Sequence, residues 1–426
     1  MHFSLQDLAA DIRTDALLAD LDCYIVGGAV RDCLLGQAVK DKDWVVVGAT
    51  AEQLSALGFL PVGADFPVFL HPHSKEEFAL ARTERKKGRG YHGFVFYAGT
   101  EVSLEDDLAR RDLTINAMAV GRDGQLIDPF GGQQDIEAQQ LRHVGASFVE
   151  DPVRLLRLAR FLARYPNFSV ADQTHQYAQE LVDNGEVDAL VAERVWLELH
   201  KGLMAVAPVR MFDFLQQLQA LERVVPHLNW DATAREAVQC AVKRALDLPR
   251  RFALLLSQSQ SLESLGRALR APRECIDYAV GLRRLQAALQ PFMQLKGVFD
   301  ALRQPTMPVK AKKVDSFKVA TTATGAEQEK PLQPTATQQE LLWASMWKVL
   351  EQADALRRPE RFAALLDALA CLQPVDKPLW LEALSAVQSI DAGAIAQAHQ
   401  KDPKQIPIAI AQARQRALAG YFSCST

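Results

Sequence analysis

Apolar positions along this chain follow two different periods. Between about residues 23 and 141 they gather in short β-rich runs, among them 23–26, 44–47 and 66–70, parted by glycine-rich turns and short helical patterns. From residue 151 onward leucine, alanine and aromatic residues recur at helical spacing, as in 153–165 and 193–206, so the last two-thirds of the chain reads as helix. One interruption, at about 304–338, holds Pro305, Pro308, Pro331 and Pro334 with five lysines and many threonines, and shows no hydrophobic period. The pattern predicts an α+β chain. A mixed α/β head spans residues 1–142, followed by a helical neck (143–205), a helical body (206–303), a connector (304–338) and a helical tail (339–426). No repeat of solenoid type is present.

Composition narrows the class. With 426 residues, 49% of them hydrophobic and 23% charged, the chain is too long for a single small module and too apolar for a disordered one. A net charge of −4 means that any contact with nucleic acid must come from local basic patches. The six cysteines lie far apart, with no metal-type spacing and too few for a disulfide scaffold, which points to a reducing cytoplasm. Asp7, Asp11, Arg13 and Asp15 interrupt the N-terminal stretch where a signal peptide needs an apolar core, and no apolar run approaches the roughly 20 residues of a membrane span. The expectation is a cytoplasmic protein, neither exported nor membrane-embedded.

Four segments carry candidate chemistry. In the first, a strand runs into Gly27-Gly28 and a helix with Arg31. Bare backbone N–H groups could approach a phosphate there, with Arg31 adding a charged fork. Standing alone, such a turn also serves as a plain strand-to-helix connection. The second is Asp41-Lys42-Asp43 before an apolar strand. Its i, i+2 spacing puts both carboxylates on one face, the donor set that Mg²⁺ and two-metal phosphoryl transfer call for. The third runs from Glu105 to Ala117, with Arg110, Arg111, Asp112 and Asn116 among apolar neighbours. It reads either as a salt-bridged surface helix or as a buried triphosphate clamp. In the fourth, Asp151 and Pro152 open a helix on which Arg154, Arg157 and Arg160 share one side. That side is either a solvated basic face or a reader of bases. Cytosine and adenine both present an exocyclic amine beside a ring-nitrogen acceptor. A carboxylate and a guanidinium would therefore admit both and reject uracil and guanine.

With these four motifs in order, the sequence resembles the bacterial CCA-adding enzymes, class II tRNA nucleotidyltransferases of the polymerase β superfamily, from about residue 24 to 203. The resemblance implies a polymerase β-like head and an Mg²⁺-dependent enzyme that adds C, C and A to the 3′ end of tRNA from CTP and ATP without a nucleic acid template. Residue by residue, it implies that Gly28 and Arg31 bind the incoming nucleotide, that Asp41 and Asp43 hold the catalytic metals, and that Arg111 touches the triphosphate. Asp151 and Arg154 resemble the amino-acid template, with Arg157 and Arg160 completing the pocket. No DNA or membrane partner is implied.

Bacterial poly(A) polymerases share this head and are the first alternative; a non-catalytic tRNA-binding protein is the second. Residues 62–70 are similar to the CCA-adding group rather than to the strongly basic segment of the poly(A) polymerases. The basic run 81–91 is similar to the loop that CCA-adding enzymes use for the final A, and is otherwise a solvated hairpin. Ser257 and Gln258 stand where larger relatives carry a His-Asp pair, and histidines are scarce in the helical part. Phosphohydrolase activity is therefore expected to be absent.

Overall fold

The computed structural model describes residues 4–62, 68–86, 94–303 and 334–423, and of 84–86, 94–96 and 423 the backbone alone. Three stretches singled out above, 62–70, 81–91 and 304–338, thus fall partly outside the described residues. Two compact units divide the chain, one made of Met1–Leu248 with Gln258–Pro272, the other of Pro249–Ser257 with Arg273–Thr426.

In the first unit, α1 (Leu5–Thr14) starts at a capping box in which the Ser4 hydroxyl accepts the Asp7 N–H while the Asp7 carboxylate accepts the Ser4 N–H. Next come β1 (Asp22–Val26), α2 (Gly28–Leu34), β2 (Asp43–Val47), α3 (Ala51–Ala56), β3 (Leu60–Val62), β4 (Val68–Leu70) and β5 (Glu77–Leu80). A separate antiparallel pair, β6 (Thr83–Lys86) and β7 (Phe94–Tyr97), precedes α4 (Leu104–Ala109), β8 (Ala119–Val120), β9 (Leu126–Ile127) and α5 (Gly132–Glu137). Seven strands form one sheet in the order β3-β4-β5-β2-β1-β8-β9, antiparallel except where β2 runs beside β5.

The central strands read as continuous apolar runs because both faces of the sheet are covered. Ile25, Trp44 and Val46 join Leu8 and Ile12 of α1 in one core. Val26 and Val45, one residue out of phase, join Val102 and Leu108 in a second. Trp44 stacks on Phe78 of β5 with ring centroids 4.7 Å apart. Each such aromatic contributes about 1.5–3 kcal/mol by burial. Phe78→Ala would open a cavity costing about 3–5 kcal/mol and loosen the strand that leads to Asp43.

Past a short parallel pair, β10 (Gln140–Leu141) with β11 (Ser169–Val170), the unit turns helical. Its helices here are α6 (Val153–Arg164), α7 (Asp172–Asp183), α8 (Ala192–Leu203) and α9 (Pro208–Gln217). Leu155, Leu158, Ala159 and Leu162 are buried as α6 packs against α8 and α9. The second unit is helical throughout its described part. Its helices Arg273–Gln294, Ala336–Gln352, Lys377–Gln388 and Ile406–Ser423 surround Phe292, Phe299, Trp343, Trp380 and Phe422. Most of these aromatics meet edge to face, as Phe292 and Trp380 do at 5.0 Å, while Trp343 and Phe422 lie nearly parallel. Among the described residues no helix is long and apolar enough to cross a membrane.

Candidate active site

All nine residues singled out for a site, Gly28, Arg31, Asp41, Asp43, Arg111, Asp151, Arg154, Arg157 and Arg160, line one cleft of the first unit, about 1170 Å³ in volume. That exceeds the roughly 300–1,000 Å³ of a site for one small molecule. Eleven lining residues are Lys or Arg and five are Asp, so the cleft is strongly positive although the whole chain is not.

One wall comes from the strand-to-helix turn. Gly27 has φ +70°, and a Cβ there would lie 2.8 Å from Nη1 of Arg111. Only glycine both takes this backbone and lets the guanidinium approach. The Gly27 N–H donates to the Met118 carbonyl at 3.0 Å, so it is not available to a phosphate, contrary to the expectation that both glycines would offer bare N–H groups. Arg31 is buried on this wall. Its Nε and Nη2 donate to Asp32 Oδ1 at 2.9 and 2.8 Å, its Nη1 to Asn116 Oδ1, and its guanidinium lies 5.2 Å from the Phe161 ring centre.

Asp43 opens β2 and Asp41 lies two residues before it, and both line the cleft while Lys42 and Trp44 do not. The other three lining carboxylates are all paired. Asp32 pairs with Arg31 and Arg164, Asp112 with Arg157, and Asp151 with Arg194. Asp41 and Asp43 carry no ion pair among the described residues, in a cleft rich in guanidinium groups. They form a pair rather than a closed ligand set, for no three His, Cys, Asp or Glu side chains converge among the described residues. Such an open pair suits a divalent ion that takes its remaining oxygens from a bound phosphate.

The segment from Asp107 to Asn116 is salt-bridged but largely buried, not an exposed surface helix. Asp107 accepts Arg110 Nε at 2.9 Å and Arg111 Nη2 at 3.1 Å. Burial opposes ionisation of Asp107, but the two guanidinium groups outweigh it and hold the carboxyl below its usual range. Asp112 accepts Arg157 Nε at 2.6 Å and Asn116 Nδ2 at 3.0 Å. There too burial is overcome, chiefly by Arg157, and the carboxyl stays well below the ordinary value. A continuous chain of polar contacts thus runs from Arg31 through Asn116 and Asp112 to Arg157 on α6.

The arginines of α6 do not form a solvated face. Arg154 is buried, donating from Nη2 to the Arg110 carbonyl at 2.6 Å and from Nη1 to Ser147 Oγ at 3.3 Å. Arg160 pairs with Glu198 of α8. Asp151 accepts the Val153 N–H at 3.0 Å and two bonds from Arg194 of α8, Nη1 at 3.1 Å and Nη2 at 2.9 Å. An ionised carboxylate offers about four lone-pair sites. With three filled, Asp151 retains a single direction in which to accept.

Asp32, Arg164, Arg194, Glu198 and Lys201 were not singled out from the sequence. Arg164 lies one turn beyond Arg160 on the same side of α6, and Arg194, Glu198 and Lys201 repeat at i, i+4 and i+7 on α8. That polar stripe on an amphipathic helix was the legible signal.

Comparison with known proteins places the chain's sequence and fold. Residues 23–142 match the model of the Poly A polymerase head domain. A CCA-adding enzyme of Bordetella bronchiseptica is 49% identical over 95% of this chain and 98% of its own length. A Multifunctional CCA protein of Azoarcus sp. is 45% identical over 93% and 96%. Among solved structures, the Bacillus stearothermophilus CCA-adding enzyme in complex with CTP superposes with a TM-score of 0.63 at 21% identity, over 98% of this chain and 93% of that one, a likeness of fold.

Proposed function

Because the chain belongs to the family of CCA-adding enzymes, we propose that the cleft of its first unit joins CTP and ATP to the 3′ end of tRNA, restoring C, C and A in turn. In this reaction the terminal ribose hydroxyl of the RNA attacks the α-phosphorus of the nucleotide. A new phosphodiester forms, the α–β phosphoanhydride breaks, and pyrophosphate leaves. The observation that carries the reading is the Asp41 and Asp43 pair, without an ion pair among the described residues in a cleft full of arginine. We assign it to Mg²⁺, which when bound would stabilise the charge on the transferring phosphate and ease loss of the hydroxyl proton.

The remaining roles belong to the chain itself. Arg31 and Arg111 face the triphosphate. The Nε–H of Arg111 is buried with no acceptor among the described residues, a donor that an anion seated in the cleft would help to satisfy. Asp151 accepts from the exocyclic amine of cytosine or adenine, and Arg154, with three N–H groups left after its two bonds, donates to the ring nitrogen. Uracil or guanine would set a carbonyl oxygen against Asp151 and an N–H against Arg154. Arg157 and Arg160 hold this surface on α6. The site belongs to the cytoplasm, where tRNA and both nucleotides meet.

The head domain alone is shared with poly(A) polymerases, so the test is made on product. Purified protein, a tRNA transcript ending at the discriminator base and single nucleotides should give two additions with CTP, one further with ATP, and then stop. A long adenosine tail from ATP alone would mark a poly(A) polymerase instead. No addition with any nucleotide would leave a tRNA-binding protein.

A further inference from the structure

Strand alternation gives the residue between the two carboxylates a role of its own. Positions 43 and 45 face one side of the sheet, and positions 44 and 46 face the core that contains α1. Lys42 continues the second set. Its ammonium pairs with Asp11 of α1 and lies 3.9 Å from Oε1 of Glu76, which follows β4. The other oxygen of the same carboxylate, Glu76 Oε2, accepts the indole N–H of Trp44 at 3.1 Å. One acidic side chain thus reaches both back-facing residues that alternate with Asp41 and Asp43.

We propose that Asp11 and Glu76 are positioning residues that hold the Lys42 charge on the back of β2, keeping Asp41 and Asp43 open to a divalent cation. The inference rests on the metal reading of that pair. A lysine flanked in sequence by two carboxylates is a cation within reach of both, and its long stem would let the ammonium swing across once its partners lost their charge. A monovalent ammonium there would neutralise part of the charge that attracts the metal. Direct contact with substrate is not needed for this role.

The test uses the full chain and Tb³⁺ as the probe, following luminescence sensitised by tryptophan and its displacement by Mg²⁺. Asp43→Asn should remove the signal belonging to the site. The isosteric double variant Asp11→Asn with Glu76→Gln keeps oxygen acceptors for Lys42 and Trp44 but removes both charges. Its Tb³⁺ affinity should fall by about tenfold, and Lys42→Met added to the same background should restore it. Restoration also separates the charge effect from general damage to the fold. Unchanged affinity in the double variant, or no rescue by Lys42→Met, overturns the clamp. A signal that survives Asp43→Asn overturns the metal reading and the clamp with it.

Discussion

Replacing Arg194 with methionine should damage the choice of base more than the rate of addition. Arg194 supplies two of the three hydrogen bonds that fix the Asp151 carboxylate, and both side chains are mostly shielded, 28% and 18% exposed. A hydrogen bond to a charged group contributes about 1.5–3 kcal/mol. Partial solvent access reduces that, so the two bonds together are taken as about 2 kcal/mol. If that orientation is what rejects the carbonyl of uracil, its loss lowers the ratio of kcat/KM for CTP over UTP by up to about thirtyfold. Methionine keeps the aliphatic stem of the side chain on α8 but removes the guanidinium. The assay is kcat/KM for all four nucleotides on tRNA ending at the discriminator base. A variant that loses activity equally with CTP and UTP would refute the reasoning, since a merely structural arginine scales both.

Three further outcomes follow from the same geometry. Asp41→Asn or Asp43→Asn should abolish addition of both C and A while leaving tRNA affinity in a filter-binding assay within about threefold, because these groups matter to the transition state more than to docking. Asp112, whose carboxyl is held below its unfolded value, contributes stability that is complete above about pH 4 and is lost as pH falls through its lower folded value. Asp112→Asn should therefore lower the urea midpoint at pH 7 and show a shallower further loss from pH 5 to 2.5, and equal acid slopes would contradict the pairing. Purified protein should not hydrolyse 2′,3′-cyclic nucleotides with Ni²⁺ or Mg²⁺; hydrolysis that stops on chelation would show a second metal site.

The fold class was legible because its two periods are physically distinct. A strand buried on both faces needs the unbroken valines of β2, and a helix enclosed by α8 and α9 needs the leucine spacing of α6. Asp41, Asp43, Arg111 and Asp151 were legible for another reason, since acids and arginines among apolar neighbours need a cause for being there. Partners were harder to read. Nothing local to Asp151 signals that Arg194, 43 residues later, binds it, and nothing local to Lys42 signals Glu76, because such pairs exist only once the helices and strands have packed. The same limit applied to Gly27, whose N–H was read as free for a phosphate although β8 leads the Met118 carbonyl up to it.

The anchoring of Asp151 and Arg154 constrains how successive additions can proceed. A nucleic acid template offers a new letter each time the polymerase steps forward, and synthesis stops where the letters run out. Under the proposed function Asp151 and Arg154 would be the reader, and because Arg194, Ser147 and the Arg110 carbonyl hold them, it would present the same reading frame at each addition. Motion would then come from the product, whose newly lengthened end would withdraw by one nucleotide before the next could enter. A stop after the third addition would then be geometric, set by how much withdrawn RNA the enzyme could accommodate while its reading surface stayed unchanged.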